Sequence, residues 1–362
     1  MRGENKKQSS MLMLMSPESR VPATHPIRRI KTLSDDALAK LSSVFDTMYA
    51  STGRPSIPPE RLLKATLLMA LYSVRSERQF CEQLDYNLLF RWFLDMDMTE
   101  ASFDATAFTH NRARLIAHDV AGAFFRAVVD QAKSADLMSS DHFTVDGTLI
   151  EAAASLKSFK RKDDDDTKPP DDKGNPTVDF HGEKRSNATH ESTTDPDAKL
   201  ARKGKGKEAK LSYSAHALME NRNGLLVGFE LDTADGYAER RAALDLVDRC
   251  LPGKRRITLG ADKGYHTRAF IRHLRARGIR PHVAPITGKR TPGLDRRTTR
   301  HRTFAVSQRC RQRVEEVFGW AKTTGGLRKT RFRGVARTEL YALLVGTPYN
   351  LVRMSRLAGA PG

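Results

Sequence analysis

Three acidic residues stand where a sheet and its following helix could bring them together: Asp146, Asp262 and Glu315. Carboxylate oxygens arriving from several elements at one point suit magnesium, which prefers carboxylate and water ligands. Two such ions, about 3.5–4 Å apart, stabilise the attacking and the leaving oxygens of a phosphoryl transfer together, and manganese is an acceptable substitute. Each residue alone also has an ordinary reading. Asp146 before Gly147 suits a turn, and Asp262 before Lys263-Gly264 suits a helix cap. Glu315 suits a pair with Arg311 or Lys322 along its own helix. The joint placement on three suitable elements is what favours a site. No histidine base is required when metal-bound water handles the protons, so His142 and His266 are expected to be structural.

The elements that must position these residues follow from period and composition. Phe143 to Ile150 is rich in β-branched and aromatic residues and predicts a strand carrying Asp146. Leu211–Met219 and Leu225–Leu231 read as strands joined by a hairpin turn at Asn221-Arg222-Asn223-Gly224. Helical spacing then runs from Ala238 to Cys250, and Arg256–Ala261 reads as a short strand closed by Asp262. Thr267–Arg277 is expected as a helix stopped at Gly278, Ile279–Ala284 as a strand, and Val306–Thr323 as the helix bearing Glu315. This order, strand-strand-strand-helix-strand-helix-strand-helix, is that of a ribonuclease-H-like α/β (α+β) fold. On that last helix Arg311, Glu315 and Lys322 share a face, Val314, Val317, Phe318 and Ala321 form the buried stripe, and Glu316 points away.

Residues 1–25 read as a flexible arm and 26–137 as an all-α, helix-turn-helix-like N-terminal DNA-binding unit, with 138–362 as the catalytic domain. Within 26–137, Ser34 is a candidate cap, Pro58-Pro59-Glu60 and Ser76 open helices, and Ser102 or Asp104 opens a fourth. That fourth helix carries Asn111 and Arg112, candidates for base contacts; an ordinary helical bundle fits the pattern as well. Residues 157–210 form a charged insertion whose composition cannot bury a core, and its run Asp163–Asp166 reads as a solvated loop rather than a metal site. The Leu340–Val352 segment reads as a core helix kinked at Gly346 and Pro348.

A formal charge of +19 over 362 residues calls for a polyanionic partner, most commonly nucleic acid. Runs at Lys203–Lys210, Lys289–Arg302 and Arg328–Arg337 are candidate phosphate contacts. Cys81, Cys250 and Cys310 lack disulfide or zinc spacing and suit a reducing cytoplasm, or the nucleoid for a DNA-bound protein. No stretch has the length of a membrane span; the apolar patch Met11–Met15 is too short even for a signal segment.

With those residues in view, the helix resembles the Y-x2-R-x3-E-x6-K signature of DDE transposases from bacterial insertion sequences. Arg311, Glu315 and Lys322 are in register, and Gln308 replaces the tyrosine. Val145-Asp146-Gly147-Thr148 and Ala261-Asp262-Lys263-Gly264-Tyr265 are similar to the first two acidic motifs. Arg331-Phe332-Arg333-Gly334 resembles the insertion sequence five family, related to the insertion sequence four group. The resemblance implies metal-dependent cleavage at terminal inverted repeats and strand transfer into target DNA, with two magnesium ions on Asp146, Asp262 and Glu315. It implies phosphate contacts from Arg311, Lys322 and Lys263, a role near the cleaved strand for Tyr265, which fits a buried structural tyrosine at least as well, and DNA contacts from Arg331 and Arg333. A homodimer holding two DNA ends is the expected assembly. A nuclease of the same fold that does not join DNA, or a non-catalytic DNA-binding derivative, are the alternatives.

Overall fold

The computed structural model describes residues 16–49, 52, 56–162, 185–204, 206–236, 238–251, 253 and 256–358. The Met11–Met15 patch and the Asp163–Asp166 run lie outside the described residues.

Among the described residues eight helices come first: α1 (Pro17–Arg20), α2 (Pro26–Ala39), α3 (Ser42–Met48), α4 (Pro59–Leu71), α5 (Glu77–Tyr86), α6 (Leu88–Phe93), α7 (Thr106–Ala117) and α8 (Val120–Ser134). Local signals set several starts. Pro59 opens α4, and the Ser76 hydroxyl accepts the Gln79 N–H at 3.0 Å to cap α5. Asp104 holds the Thr106 N–H at 2.7 Å just before α7. Two expectations need correction. Ser34 is no cap but lies buried inside α2, its hydroxyl turned back to the Lys31 carbonyl. Residues 16–25 are not a loose arm, because the Glu18 carboxylate accepts from the Trp92 indole and the Arg28 guanidinium.

The sheet follows. β1 (His142–Glu151) runs antiparallel to β5 (Lys210–Glu220), which pairs along its far edge with β6 (Leu226–Thr233) and the short β4 (Lys199–Ala201). On its other side β1 is parallel to β7 (Thr258–Ala261), and β7 to β8 (Arg280–Val283). β2 (Phe159–Arg161) and β3 (His190–Ser192) form a separate pair within the insertion. Between β6 and β7 lies α9 (Ala238–Cys250), between β7 and β8 α10 (Arg268–Ala276), and after β8 come α11 (Arg296–Thr299), α12 (Arg302–Cys310), α13 (Arg313–Thr323) and α14 (Val335–Leu357). This is the ribonuclease-H-like order, with β1 at the centre.

The expected single helix over 306–323 is two. At Arg311-Gln312 the bonds become three-residue turns (Val314 N–H to Arg311 O, Glu315 N–H to Gln312 O). Both pieces pack on β1, and α12 reaches β7 and β8 as well, where its Ser307 meets the buried His282 of β8, with Oγ and Nδ1 2.6 Å apart.

The charged insertion also departs from expectation. Its later part is ordered: Asp195 and Ala198 are buried, the Tyr213 hydroxyl of β5 donates to Asp195, and Asp197 accepts the Val335 N–H at 3.0 Å. The two carboxylates thus hold the start of α14, whose first amides have no helical acceptor. α14 itself continues through Pro348 and packs against α2, α4, α8 and β6. Its buried Asn350 acts as a strand for β6, accepting the Leu226 N–H at 2.8 Å and donating to the Leu226 carbonyl at 2.9 Å. Among the described residues no helix is long and apolar enough to cross a membrane.

Candidate active site

Side chains alternate along a strand, so Asp146 shares a face of β1 with Thr144 and Thr148. Thr144 pairs with Gly260 of the parallel neighbour, which brings position 262, two residues on, level with Asp146. Gly260 is required by this closeness, because a side chain there would meet Thr144 Oγ1 at 3.0 Å. The two aspartates therefore stand level, Asp262 just past the end of β7 and Asp146 midway along β1, beyond the last pair of the β1–β7 ladder, and both line a cavity of about 510 Å³.

Both retain the local bonds that their ordinary readings require. Asp146 Oδ1 accepts the Gly147 N–H at 2.8 Å, and Asp262 Oδ1 accepts the Gly264 N–H at 2.8 Å, capping a turn of 3₁₀ helix. Capping and ligation use different oxygens and lone pairs of one carboxylate, so one role does not exclude the other. Burial pushes the Asp146 carboxyl up to about 6; the Gly147 N–H opposes this and the Asp262 carboxylate reinforces it. A half-buried carboxylate beside another carboxylate is an environment in which a cation is favourable.

Glu315 lies on the same side of the sheet. Lys322 of α13 donates to Thr148 Oγ1 at 2.7 Å, which fixes the end of that helix over the Asp146 face. Arg313, at its start, donates to the Asn221 and Arg222 carbonyls, and Asn221 in turn donates to His142 at the beginning of β1. The helix therefore runs alongside the strand. Seven helical residues back from Lys322 are roughly 10 Å, the length of about three strand residues, so Glu315 sits near the level of Asp146. Its side chain is exposed, and among the described residues no three His, Cys, Asp or Glu side chains converge closely enough to hold an ion. The aspartates fit a divalent cation as an oxygen-donor pair; the third carboxylate is alongside rather than converged. Gathering three like charges without a cation is electrostatically unfavourable.

The cations expected around the acids divide. Arg311 carries its charge close to Asp146, opposing the rise of that carboxyl, and its buried Nε has no hydrogen-bond partner among the described residues. Burial, then the nearby charges of Lys203 and Arg328, lowers the Lys322 ammonium. Lys263 is exposed beside Asp262, and Arg333 is exposed before α14. Arg331 is exposed too, but its guanidinium donates to the Arg75 carbonyl and lies over the rings of Phe332 and Tyr341.

Three expected DNA contacts are placed otherwise. Tyr265 is 1% exposed and packs at 5.3 Å on Phe270, so its ring does not reach a DNA strand. Asn111 is buried, donating to the Ala107 carbonyl and accepting from Tyr49 and Arg114. Arg112 is paired with Glu77 and lies over Phe332. Both side chains tie α7 to its neighbours and are not presented to base edges.

Other residues join the site without a recognisable motif. Glu239, in the first turn of α9, lines the same cavity as the two aspartates; burial, then Asp262, raises its carboxyl. It reaches the site behind Gly147, where a side chain would meet His216 Nδ1 at 3.0 Å and Glu239 Cγ at 3.3 Å. The glycine after Asp146 is thus explained by the packing on the opposite face of β1. Asn187, Arg202 and Lys203 of the insertion line the cavity as well.

Two family models match this chain. One, described as a transposase domain, covers residues 15–114, and the other, described as a transposase DDE domain, covers residues 139–351. A search of curated proteins found no match. Among solved structures, a piggyBac transposase synaptic complex with hairpin DNA is 9% identical with a TM-score of 0.42, spanning 92% of this chain and 76% of that one. A pre-cleavage Mos1 transpososome is 13% identical with a TM-score of 0.20, spanning 87% and 84%. A mariner Mos1 paired-end complex with Mg is 13% identical with a TM-score of 0.20, spanning 90% and 87%. At these scores the structural likenesses add nothing to the family match.

Proposed function

We propose, for a chain that belongs to the transposase DDE domain family, that Asp146, Asp262 and Glu315 are its catalytic carboxylates. The chain is a transposase, an enzyme that cuts and joins DNA. The observation that carries the assignment is the pair Asp146 and Asp262, level with one another on adjacent parallel strands and facing one cavity. Asp146 and Asp262 would hold magnesium, or manganese in its place, with Glu315 completing a second position. Those ions, when bound, would activate a water or 3′-hydroxyl nucleophile and offset charge on the leaving oxygen.

The protein's own groups orient and exclude. The Gly147 N–H fixes one oxygen of Asp146, and the Gly264 N–H fixes one of Asp262, so that neither carboxylate swings freely. Lys322 is tethered to Thr148 and Arg311 carries a buried donor without a partner among the described residues; both are suited to holding a DNA phosphate over the acidic pair. Lys263 and Arg333 extend that contact outward, and Arg331 contributes charge from its ring-stacked position. Terminal inverted repeats and target DNA are the proposed substrates. Two ends must be held together, so a homodimer is the proposed working form. The Arg311–Glu315–Lys322 spacing and Arg331-Phe332-Arg333-Gly334 favour the insertion sequence five branch of the family.

Asp146→Asn tests the reading. Metal-dependent cleavage of a terminal-repeat duplex is expected to fall below detection, while duplex affinity stays within about threefold, since phosphate contacts dominate affinity. Cleavage at the unmodified rate would remove Asp146 from the site. A strand-transfer assay with pre-cut ends tests the joining step separately.

A further inference from the structure

The cavity that holds the acidic pair has a second wall of opposite charge. Its acidic lining is Asp146, Asp262, Glu239 and Asp235, and its basic lining is Arg202 and Lys203, which with Leu200 come from the end of the charged insertion. We propose that this end of the insertion is a strand clamp, in which Arg202 and Lys203 hold a backbone phosphate of the DNA strand being cut.

The wall is built rather than draped. β4 adds to β5 with Lys199 opposite Ser212, and the same β5 pairs Ala217 with Asp146, so one strand sets both sides of the cavity. The outer edge of β4 is closed by Asn187, which accepts the Leu200 N–H at 2.7 Å and donates to the Leu200 carbonyl at 3.0 Å. Behind it, buried Asp195 accepts from the Tyr213 hydroxyl of β5 and from the Gly334 N–H at 3.3 Å. Arg202 and Lys203 follow directly and are exposed. Lys203 lies near enough to Lys322 for its charge to act on that ammonium, so the two cations border the same approach.

Charge balance explains why such a wall is useful. A phosphodiester entering a cavity lined only by carboxylates is repelled, and cations on the facing wall offset that repulsion while fixing the strand's position. The ligand chemistry is a phosphodiester without base preference, because nothing in the wall is shaped to read a base edge.

The inference rests on the DDE reading above, and its test separates the two. The full chain carrying Arg202→Ala and Lys203→Ala is compared with the unmodified chain on a terminal-repeat duplex in saturating Mn²⁺. Cleavage at saturating DNA is expected to slow at least about tenfold, with duplex Kd changed less than about threefold and the melting temperature unchanged. The exchange Arg202→Lys with Lys203→Arg is expected to keep most of the rate. A scan of uncharged methylphosphonates along the cut strand gives the direct readout. In the unmodified chain one or two positions beside the cut slow cleavage at least about tenfold, and in the double-alanine chain those positions cost nothing further. Unmodified cleavage by the double-alanine chain, or penalties that multiply at every position, overturns the clamp. If Asp146→Asn also cleaves normally, the DDE reading falls and takes the clamp with it; if Asp146→Asn is inactive, only the clamp is lost.

Discussion

The helices before the sheet and the segment after β7 make opposite use of charge. Residues 26–137 hold 14 Lys and Arg against 14 Asp and Glu, and so are electroneutral. Residues 256–358 hold 24 against 5, as large an excess as the +19 of the entire chain. In the helical part many of the cations are engaged. Lys64 sits between Asp35 at 2.8 Å and Asp95 at 2.5 Å, Arg61 pairs with Glu100, and Arg112 pairs with Glu77. In the later part there are too few acids to pair with, and Arg296, Arg297, Arg300, Arg302 and Arg309 are exposed on α11, α12 and the residues beside them. The same residue types are internal ties in one region and a free electrostatic surface in the other. A basic total therefore does not mark a small helical region as the DNA-binding one; the location of the unneutralised charge does.

The largest effect that sharpens this contrast is on stability in acid. His282 is fully buried among the cations of the later region. Burial, then Arg280, lowers its imidazole from 6.5 to about 4. The folded protein keeps it neutral while the unfolded chain protonates it, so its stabilising contribution is complete above pH 6.5 and is lost as pH falls towards 4. The loss is roughly 3 kcal/mol over that window. Urea midpoints measured from pH 7 to 4 should show the fall, and it should shrink in His282→Asn; an equal fall in that variant assigns it elsewhere.

Next is the free surface itself. Reversing Arg297, Arg300 and Arg302 to Glu is expected to weaken duplex binding at least about thirtyfold. It should also flatten the dependence of log affinity on log salt by roughly 2.7, three phosphate contacts' worth. An unchanged slope would show that these arginines do not meet DNA. The counterpart in the neutral region is Arg112→Ala. It should cost about 1–2 kcal/mol in thermal or urea unfolding, through the lost Glu77 pair and the lost cover on Phe332, and leave duplex affinity within about twofold. A tenfold loss of affinity with normal stability would break the comparison. The smallest effect is Tyr265→Phe. Its buried hydroxyl has no partner among the described residues, so removal should not lower stability and should leave the cleavage rate alone.

How far the chain could be read in advance depends on the range of the interactions involved. The strand bearing Asp146, the Asn221–Gly224 hairpin and α9 over Ala238–Cys250 follow from period and turn residues, which act over a few positions. The strand order then brings Asp146 and Asp262 together, because β1 and β7 are adjacent and parallel in the sheet. What escaped reading is tertiary. Glu239 in a helix's first turn looks like a dipole-favoured surface acid until Gly147 is seen to leave room for it. Asn111 looks like a polar helix residue until α7 is packed, and Tyr265 in a motif looks functional until Phe270 covers it. The insertion was legible as charged, and its burial of Asp195 was not, since a single well-partnered carboxylate leaves no trace in composition.

The long helix α14 bears on how this protein can come into being. It follows in the chain the elements it packs on: four helices of the neutral region (α2, α4, α7 and α8), α13, the edge of β6 through Asn350, and the two insertion carboxylates at its start. A nascent chain stopped before residue 335 would leave those helices without a shared seam and β6 with an open rim. The two family-matched segments are thus poor candidates for separate expression or for grafting onto another protein. Their assembly waits on a helix that lies at the very end of the second segment.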